Sequence, residues 1–234
     1  MGIKERQERD REAVSRAILD AARELFVTEG YQNVSIRKIA ERIEYSPAAI
    51  YGYFPCKDDI FFALAEEGFR LLGDPEAAGA AEHLESLEPL DRLREIFWRV
   101  YEFGLEHPQY FSLMFIDRDV PRISREYERF AFVRAMKSNL VAQIQACIDD
   151  KVLPSSVDAS VACRMLTMGV LGVAAMRLSD RLGPPPQVDV LARDVLNSLL
   201  AGLKSGVALQ STDEPCTIEE QEPLASVSSS GVVS

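Results

Sequence analysis

The hydrophobic positions of this chain fall at helical spacing almost throughout. Ile36, Ile39, Ala40 and Ile43 occupy positions i, i+3, i+4 and i+7 and make one apolar stripe, with Arg37, Lys38, Glu41 and Arg42 off it. Ser35 stands where an N-cap belongs, its hydroxyl available to a backbone N–H of the first turn. The spacing predicts a helix over 36–43, a turn at Glu44 and Tyr45, and a second, short helix capped by Ser46. Pro47 suits the first position of that helix, where the N–H has no intrahelical partner. Ile50 and Phe54, four apart, form its core face, while Ala48, Ala49 and Gly52 keep the other face thin. A longer helix, AILDAARELFVTEGY (17–31), precedes the pair, and the charged residues before it read as an extension of that helix.

The same period continues to the end of the ordered pattern. A helix is predicted over 58–72, with Ile60, Phe61, Leu64, Ala65, Phe69 and Leu72 on its apolar side and Gly73, Asp74 and Pro75 as its stop. Residues 76–88 read as a short helix or loop, 89–106 as a helix broken by His107 and Pro108, and 109–116 as a short, very apolar helix. A long helix follows Pro121 and reaches about Asp150. Another begins at Ser156 or Asp158 and runs to about Leu182, and the last spans 188–209 after the break at Gly183 and three prolines. The stretch from Val161 to Met176 is apolar nearly all round, so it must be buried on more than one side, in a core or against a second subunit. The fold class expected is all-α: an N-terminal three-helix unit over 10–56 and a C-terminal helical bundle over 57–209. The remainder, 210–234, is rich in Ser, Glu and Pro, holds five acidic residues and no basic one, and cannot bury enough apolar surface to order itself.

Composition narrows the function classes. The 234 residues are 47% hydrophobic, enough for a core, and carry 26 Lys+Arg against 37 Asp+Glu, a net charge of −11. Residues 1–60 are close to neutral, so the acidity sits mostly in the rest of the chain. An acidic protein binds nucleic acid when its local face is basic, with weak non-specific affinity. No run of 18 apolar residues appears and no signal peptide opens the chain, so no membrane span and a cytoplasmic location are expected. Cys56, Cys147, Cys163 and Cys216 lie far apart, and only His83 and His107 could join them, so no metal site and no cofactor are expected. Cys147 and Cys163 sit in apolar patterns, as buried thiols do in a reducing compartment. With no Gly-rich phosphate loop and no nucleophile elbow, the chain reads as a non-enzyme.

The 14–60 segment resembles the DNA-binding domain of the TetR/AcrR family of bacterial transcription regulators. The residues that carry the resemblance are the 17–31 helix, the Ser35-Ile36-Arg37-x-x-Ala40 opening, Ser46, the Ile50-Tyr51-x-Tyr53-Phe54 run, and Lys57 at the start of the next helix. The family usually has glycine in the turn, and this chain has Glu44. A left-handed backbone there costs a non-glycine residue roughly 1–2 kcal/mol, or the turn is reshaped.

The resemblance implies a helix-turn-helix that contacts an operator duplex. Helix N-termini at Ser35, Ser46 and Lys57 attract phosphate. Tyr51 and Tyr53 are implied to reach the backbone and Lys57 to add a charge, contacts that set position rather than sequence choice. Base reading falls to Arg37 and to Pro47, Ala48, Ala49 and Gly52, with Ile36 beside them in the opening motif. Arg37 alone would be half of a surface ion pair with Glu41.

The resemblance also implies a homodimer that pairs its last two long helices as a four-helix bundle, and a small effector bound in the helical domain. Phe62, Phe69, Phe97, Trp98, Tyr101, Phe111, Met114, Met136, Met165 and Met168 are the candidate lining of an apolar pocket, against the plainer reading that they are core. Arg99, Tyr101, Gln143 and Arg164 are candidate polar anchors, and the helix beginning at Lys57 is expected to end beside Phe97, Trp98 and Tyr101. The function expected is a ligand-responsive transcriptional repressor on a palindromic operator. The alternative is a helical scaffold whose helix-turn-helix contacts a protein partner.

Overall fold

The computed structural model describes residues 3–73, 80–121, 131–207, 209 and 211. The elements among them are all helical: α1 (Ile3–Glu29), α2 (Ile36–Arg42), α3 (Pro47–Tyr51), α4 (Lys57–Gly73), α5 (Ala80–Ser86), α6 (Pro89–Glu106), α7 (Pro108–Phe111), α8 (Ala131–Asp149), α9 (Ala159–Leu178) and α10 (Pro185–Lys204). A single 3₁₀ turn, Tyr31–Asn33, links α1 to α2, and α7 continues as a π-helical turn, Ser112–Ile116. The charged opening of the chain is part of α1, so the first helix begins well before 17. The expected tail from 212 onward, the stop at Asp74 and Pro75, and the first part of the helix expected after Pro121, with Tyr127 and Phe130, lie outside the described residues.

Ile18, Ala22, Phe26, Ile39, Ala40 and Ile50 close the core of the N-terminal unit. Ile60, Phe61 and Leu64 carry that core onto α4, which is shared with the C-terminal domain, where α6, α8 and α10 pack around α9. By length and composition α9 is apolar enough to cross a membrane, although Arg164, Thr167 and Arg177 interrupt its apolar run. Its packing accounts for most of that apolarity: Val161, Ala162, Cys163, Leu166, Val170, Val173 and Ala174 are buried. The other face is open. Met168 (62% exposed), Gly172 and Met176, spaced by four, form an outward stripe, beside Leu191, Ser198 and Ala201 on α10.

Both ends of α10 differ from the predicted 188–209. It starts at Pro185 because a proline at the first helical position gives up no hydrogen bond. It stops at Lys204 because Gly206 turns left-handed (φ 75°), with Gly206 N–H donating to Leu203 and Val207 N–H to Gly202.

Candidate DNA-binding face and the helical domain behind it

The helix pair is built by local chemistry. Ser35 Oγ accepts from Lys38 N–H at 3.2 Å, and Ser46 Oγ accepts from Ala49 N–H at 3.2 Å, so each helix starts on its own serine cap. The turn keeps the shape a glycine would give it. Glu44 takes φ 59°, Tyr45 N–H donates to the Ala40 carbonyl at 2.9 Å and Glu44 N–H to the Glu41 carbonyl at 3.3 Å. This is the double closure of a helix C-terminus, with the left-handed position filled by glutamate. Glu44 does not reshape the turn; it adopts the strained backbone.

Pro47, Ala48, Gly52 and Tyr51 (54% exposed) lie open on α3, with Ser46 at its start and Ala49 half-buried. Ile50 is fully buried, which seats the helix on the core. Ile36 is also in the core, 8% exposed, so its side chain is unavailable to DNA. Arg37 is exposed and its Nε donates to Glu41 Oε1 at 2.8 Å, the plainer of its two expected states. An exposed i, i+4 pair of this kind is weak, little obstacle to exchanging Glu41 for a base.

Lys57 is more engaged than its sequence position indicated. Its Nζ donates to the Tyr31 carbonyl at 2.8 Å and lies 4.1 Å from the centroid of the Tyr31 ring. Partial burial pushes its pKa down. Tyr31 in turn donates its hydroxyl to Asp58, and the Cys56 thiol donates to Asp59 Oδ2 at 3.1 Å. Arg11, from the charged opening of α1, stacks 5.5 Å from the Tyr53 ring centroid and puts a cation beside the recognition helix. The sequence offered Arg11 either to a basic arm or, more simply, to a charged extension of the first helix, and could not set it against Tyr53, 42 residues away.

The pocket candidates divide. Phe97, Tyr101 and Phe111 are wholly buried, Phe69 and Trp98 nearly so, and Met114, Met136 and Met165 are half-buried. Met168 is not among them: it stands on the outward stripe of α9. Phe62 lines a surface cavity of about 280 Å³ with Tyr53, Phe54, Asp59 and Glu66, between the N-terminal unit and α4. Of the polar anchors, Arg99, Gln143 and Arg164 are half-buried. Tyr101 is tied into a cluster that sequence did not show: its hydroxyl donates to Asp189 Oδ1 at 2.6 Å and accepts from Arg177 Nη1 at 2.7 Å, and Arg177 pairs with Asp189. Beside it, Arg193 stacks on Trp98, 3.9 Å from the centroid.

Trp98 and Tyr101 therefore face α9 and α10 rather than the end of α4. The second half of α4 meets α7 and the turn after it, and α4 packs on α6 as well. A side chain at Gly68 would strike Met114 and Tyr110, and Phe69 packs edge-on to Phe115 at 6.0 Å. Polar contacts join α1 and the 3₁₀ turn after it to the same region: Arg23 donates to the Tyr110 hydroxyl at 2.5 Å and to Gln109 at 3.2 Å, Arg16 pairs with Glu67, and Gln32 of the turn donates to the Asp119 carbonyl at 2.7 Å.

Comparison with known proteins agrees with this division. Residues 18–64 match the family described as bacterial regulatory proteins, tetR family, and residues 93–199 match the tetracyclin repressor-like C-terminal domain. Over 52 residues the chain is 44% identical to the HTH-type transcriptional repressor Rv1474c of Mycobacterium tuberculosis, covering 22% of this chain and 28% of that protein. Over 97 residues it is 26% identical to the HTH-type transcriptional repressor NicS of Pseudomonas putida, covering 42% of this chain and 44% of the relative. Each match thus spans less than half of the relative's length. Among solved structures, a protein of unknown function from Rhodococcus sp. RHA1 superposes with a TM-score of 0.64 at 24% identity, covering 81% of this chain and 95% of that one. The transcriptional regulator FadR of Bacillus subtilis, solved in complex with stearoyl-CoA, gives 0.62 at 17% identity, covering 82% and 98%. At these identities the likeness is one of fold.

Proposed function

Because the chain belongs to the TetR family of bacterial transcription regulators, we propose that it is a repressor that binds a palindromic operator as a homodimer and is released by a small apolar or amphipathic effector. Its working division is a DNA-binding head over 10–56, an effector-binding and dimerisation body over 57–209, and a tail over 210–234. It acts in the cytoplasm, where its operator is.

The observation that carries this reading is the helix pair itself. Two serine-capped helices meet at a left-handed turn, and the second presents Ser46, Pro47, Ala48, Tyr51 and Gly52 on an open face. The capped ends of α2 and α3 offer N–H groups and a positive dipole end to phosphates. Tyr51, Tyr53 and Lys57 position the duplex, while Arg37 and the small residues of α3 read base edges. Proline, alanine and glycine offer no side-chain hydrogen bonds, so DNA shape supplies part of the selectivity.

The outward stripe of α9 and α10 supports the dimer. Met168 and Met176, with Leu191, are large apolar side chains left open beside Gly172 and Ala201, and a second copy of the same stripe buries them. Two-fold symmetry in the protein implies inverted half-sites about one helical turn, or a multiple, apart. The effector reading rests on the aromatic and methionine side chains between α4, α6, α7, α8 and α9. It is also supported by the amphipathic acyl thioester held by a neighbour in fold. A selection from random duplex DNA, repeated across salt concentrations, tests the whole reading. Inverted repeats with salt-sensitive affinity are expected. Recovery of no sequence would leave the helix pair to a protein partner.

A further inference from the structure

The first turn of α4 poses an electrostatic problem for a phosphate contact. It carries Lys57, but Asp58 and Asp59 follow at once, so the turn is net negative. Acidic side chains there suit the helix dipole and oppose an incoming phosphate. Tyr31 meets both halves of the problem. Its carbonyl takes one of the three Lys57 donors at 2.8 Å, its ring lies 4.1 Å beneath the ammonium, and its hydroxyl donates to the Asp58 carboxylate. Tyr31 itself is 3% exposed, wedged between Phe26 at 5.0 Å and Phe61 at 5.8 Å, so this grip is anchored in the core.

We propose that Tyr31 is the positioning residue for the DNA phosphate at the start of α4: it fixes the Lys57 ammonium at one place and occupies the Asp58 carboxylate that would otherwise repel the phosphate. This rests on the DNA-binding reading above and extends it to a residue that touches no DNA. Two Lys57 donors stay available for phosphate oxygens while the third holds the side chain still, so less side-chain freedom is lost on binding. Desolvation and the Asp58 bond both push the Tyr31 phenol upward, so it remains a donor at any pH where the complex forms.

The test is a double-mutant cycle on the full-length protein, with a duplex selected by the wild type from random DNA. Tyr31→Phe keeps the ring and the carbonyl and removes the donor to Asp58. It is expected to weaken binding roughly tenfold at low salt, because the carboxylate keeps its charge throughout and, once released from the hydroxyl, is free to turn toward the phosphate. Asp58→Asn, on an exposed side chain, is expected to change affinity less than about threefold alone, and to restore affinity by about tenfold in the Tyr31→Phe background. Circular dichroism confirms that each variant is folded at the assay temperature. Equal effects of Asp58→Asn in both backgrounds would overturn the proposal, as would wild-type affinity in Tyr31→Phe. The Asp58→Asn arm stands without the tyrosine variant: a tenfold gain from it alone would mean that Tyr31 does not hold the carboxylate. Failure of the wild type to select any duplex would instead remove the DNA-binding reading beneath it.

Discussion

The Tyr101 hydroxyl donates to Asp189 across 2.6 Å and thereby ties the middle of α6 to the first turns of α10. Arg177 completes the cluster from the last turn of α9. One turn back along α6, Trp98 stacks on Arg193, and another turn back Arg94 donates to Asn197 at 2.7 Å. The two antiparallel helices are thus matched rung by rung. Tyr101→Phe leaves Arg177 and Asp189 paired with each other and is expected to cost about 1 kcal/mol, and Arg177→Ala about 1–2 kcal/mol because it strips two acceptors at once. Urea unfolding curves measure both, and a cost for Tyr101→Phe above that for Arg177→Ala would show that the arginine is not the centre of the cluster.

Glu44 is strained in the wild-type turn. Glu44→Gly removes the Cβ from a left-handed backbone and is expected to stabilise the protein by up to about 1 kcal/mol. For a chain of this size that raises the melting temperature by about 2–4 °C. Scanning calorimetry decides it; an unchanged or lower midpoint would mean that the Glu44 side chain has a compensating partner.

Gly172 is the sharpest probe of the proposed dimer, because a Cβ built on it meets nothing within 4 Å inside the subunit. Gly172→Glu and Ala201→Glu should therefore fold as monomers yet place a carboxylate in the proposed subunit contact. An unpaired buried charge of that kind costs several kcal/mol. Light scattering is expected to show monomers and DNA binding to be lost with them; variants that stay dimeric would put the contact on another face.

At the DNA face, Lys57→Ala and Tyr53→Phe are expected to weaken all sequences about equally, with the salt slope lowered by about one for Lys57→Ala. Arg37→Ala is expected to cost about 1–3 kcal/mol and to relax preference at one base position. An unchanged selected motif for Arg37→Ala would make Arg37 a phosphate contact.

The buried thiols and phenols each favour the folded state less as the solution becomes alkaline. Burial raises Cys147 and Cys163 above the ordinary thiol value of 9.0, and burial with nearby acids raises Tyr31 and Tyr110 above 10.0. In each case the folded state holds its proton more tightly than the unfolded chain. Their contribution is complete below the unfolded values and is lost as pH rises through the folded ones. The melting temperature should therefore fall as pH passes 9.0 and fall further beyond 10.0. At neutral pH a bulky thiol reagent is expected to label Cys56, which is exposed, and to spare Cys147 and Cys163, as peptide mapping would show.

What could be read in the sequence was local. Ser35, Ser46 and Pro47 announce their helix starts because a cap acts within one turn, and the α6 boundaries followed from Pro89 and from His107-Pro108 for the same reason. Glu44 was readable as a departure, though not its outcome, since the choice between strain and a reshaped turn depends on packing. The end of α10 was readable and missed: Gly206 carried the signal, and the apolar Val207 and Leu209 concealed it. The Tyr101, Arg177 and Asp189 cluster was beyond reach, because its members lie 76 and 88 residues from Tyr101 and none sits in a local motif. Met168 misled because its helix is apolar on both sides, so periodicity could not tell the inner face from the outer one.

The bonds from Arg23 to Tyr110 and Gln109, and from Arg16 to Glu67, have a bearing on any attempt to recombine this chain with another. The recognition unit is not a detachable cassette. Two arginines of its first helix are held by side chains from α4 and α7, and all three partners lie beyond the 47-residue stretch that carries the family signature. A chimera cut at residue 56 would leave two arginines facing whatever the new body offered, and would read its operator at whatever tilt that body imposed. A graft that keeps this head's own geometry must carry Glu67, Gln109 and Tyr110 with it.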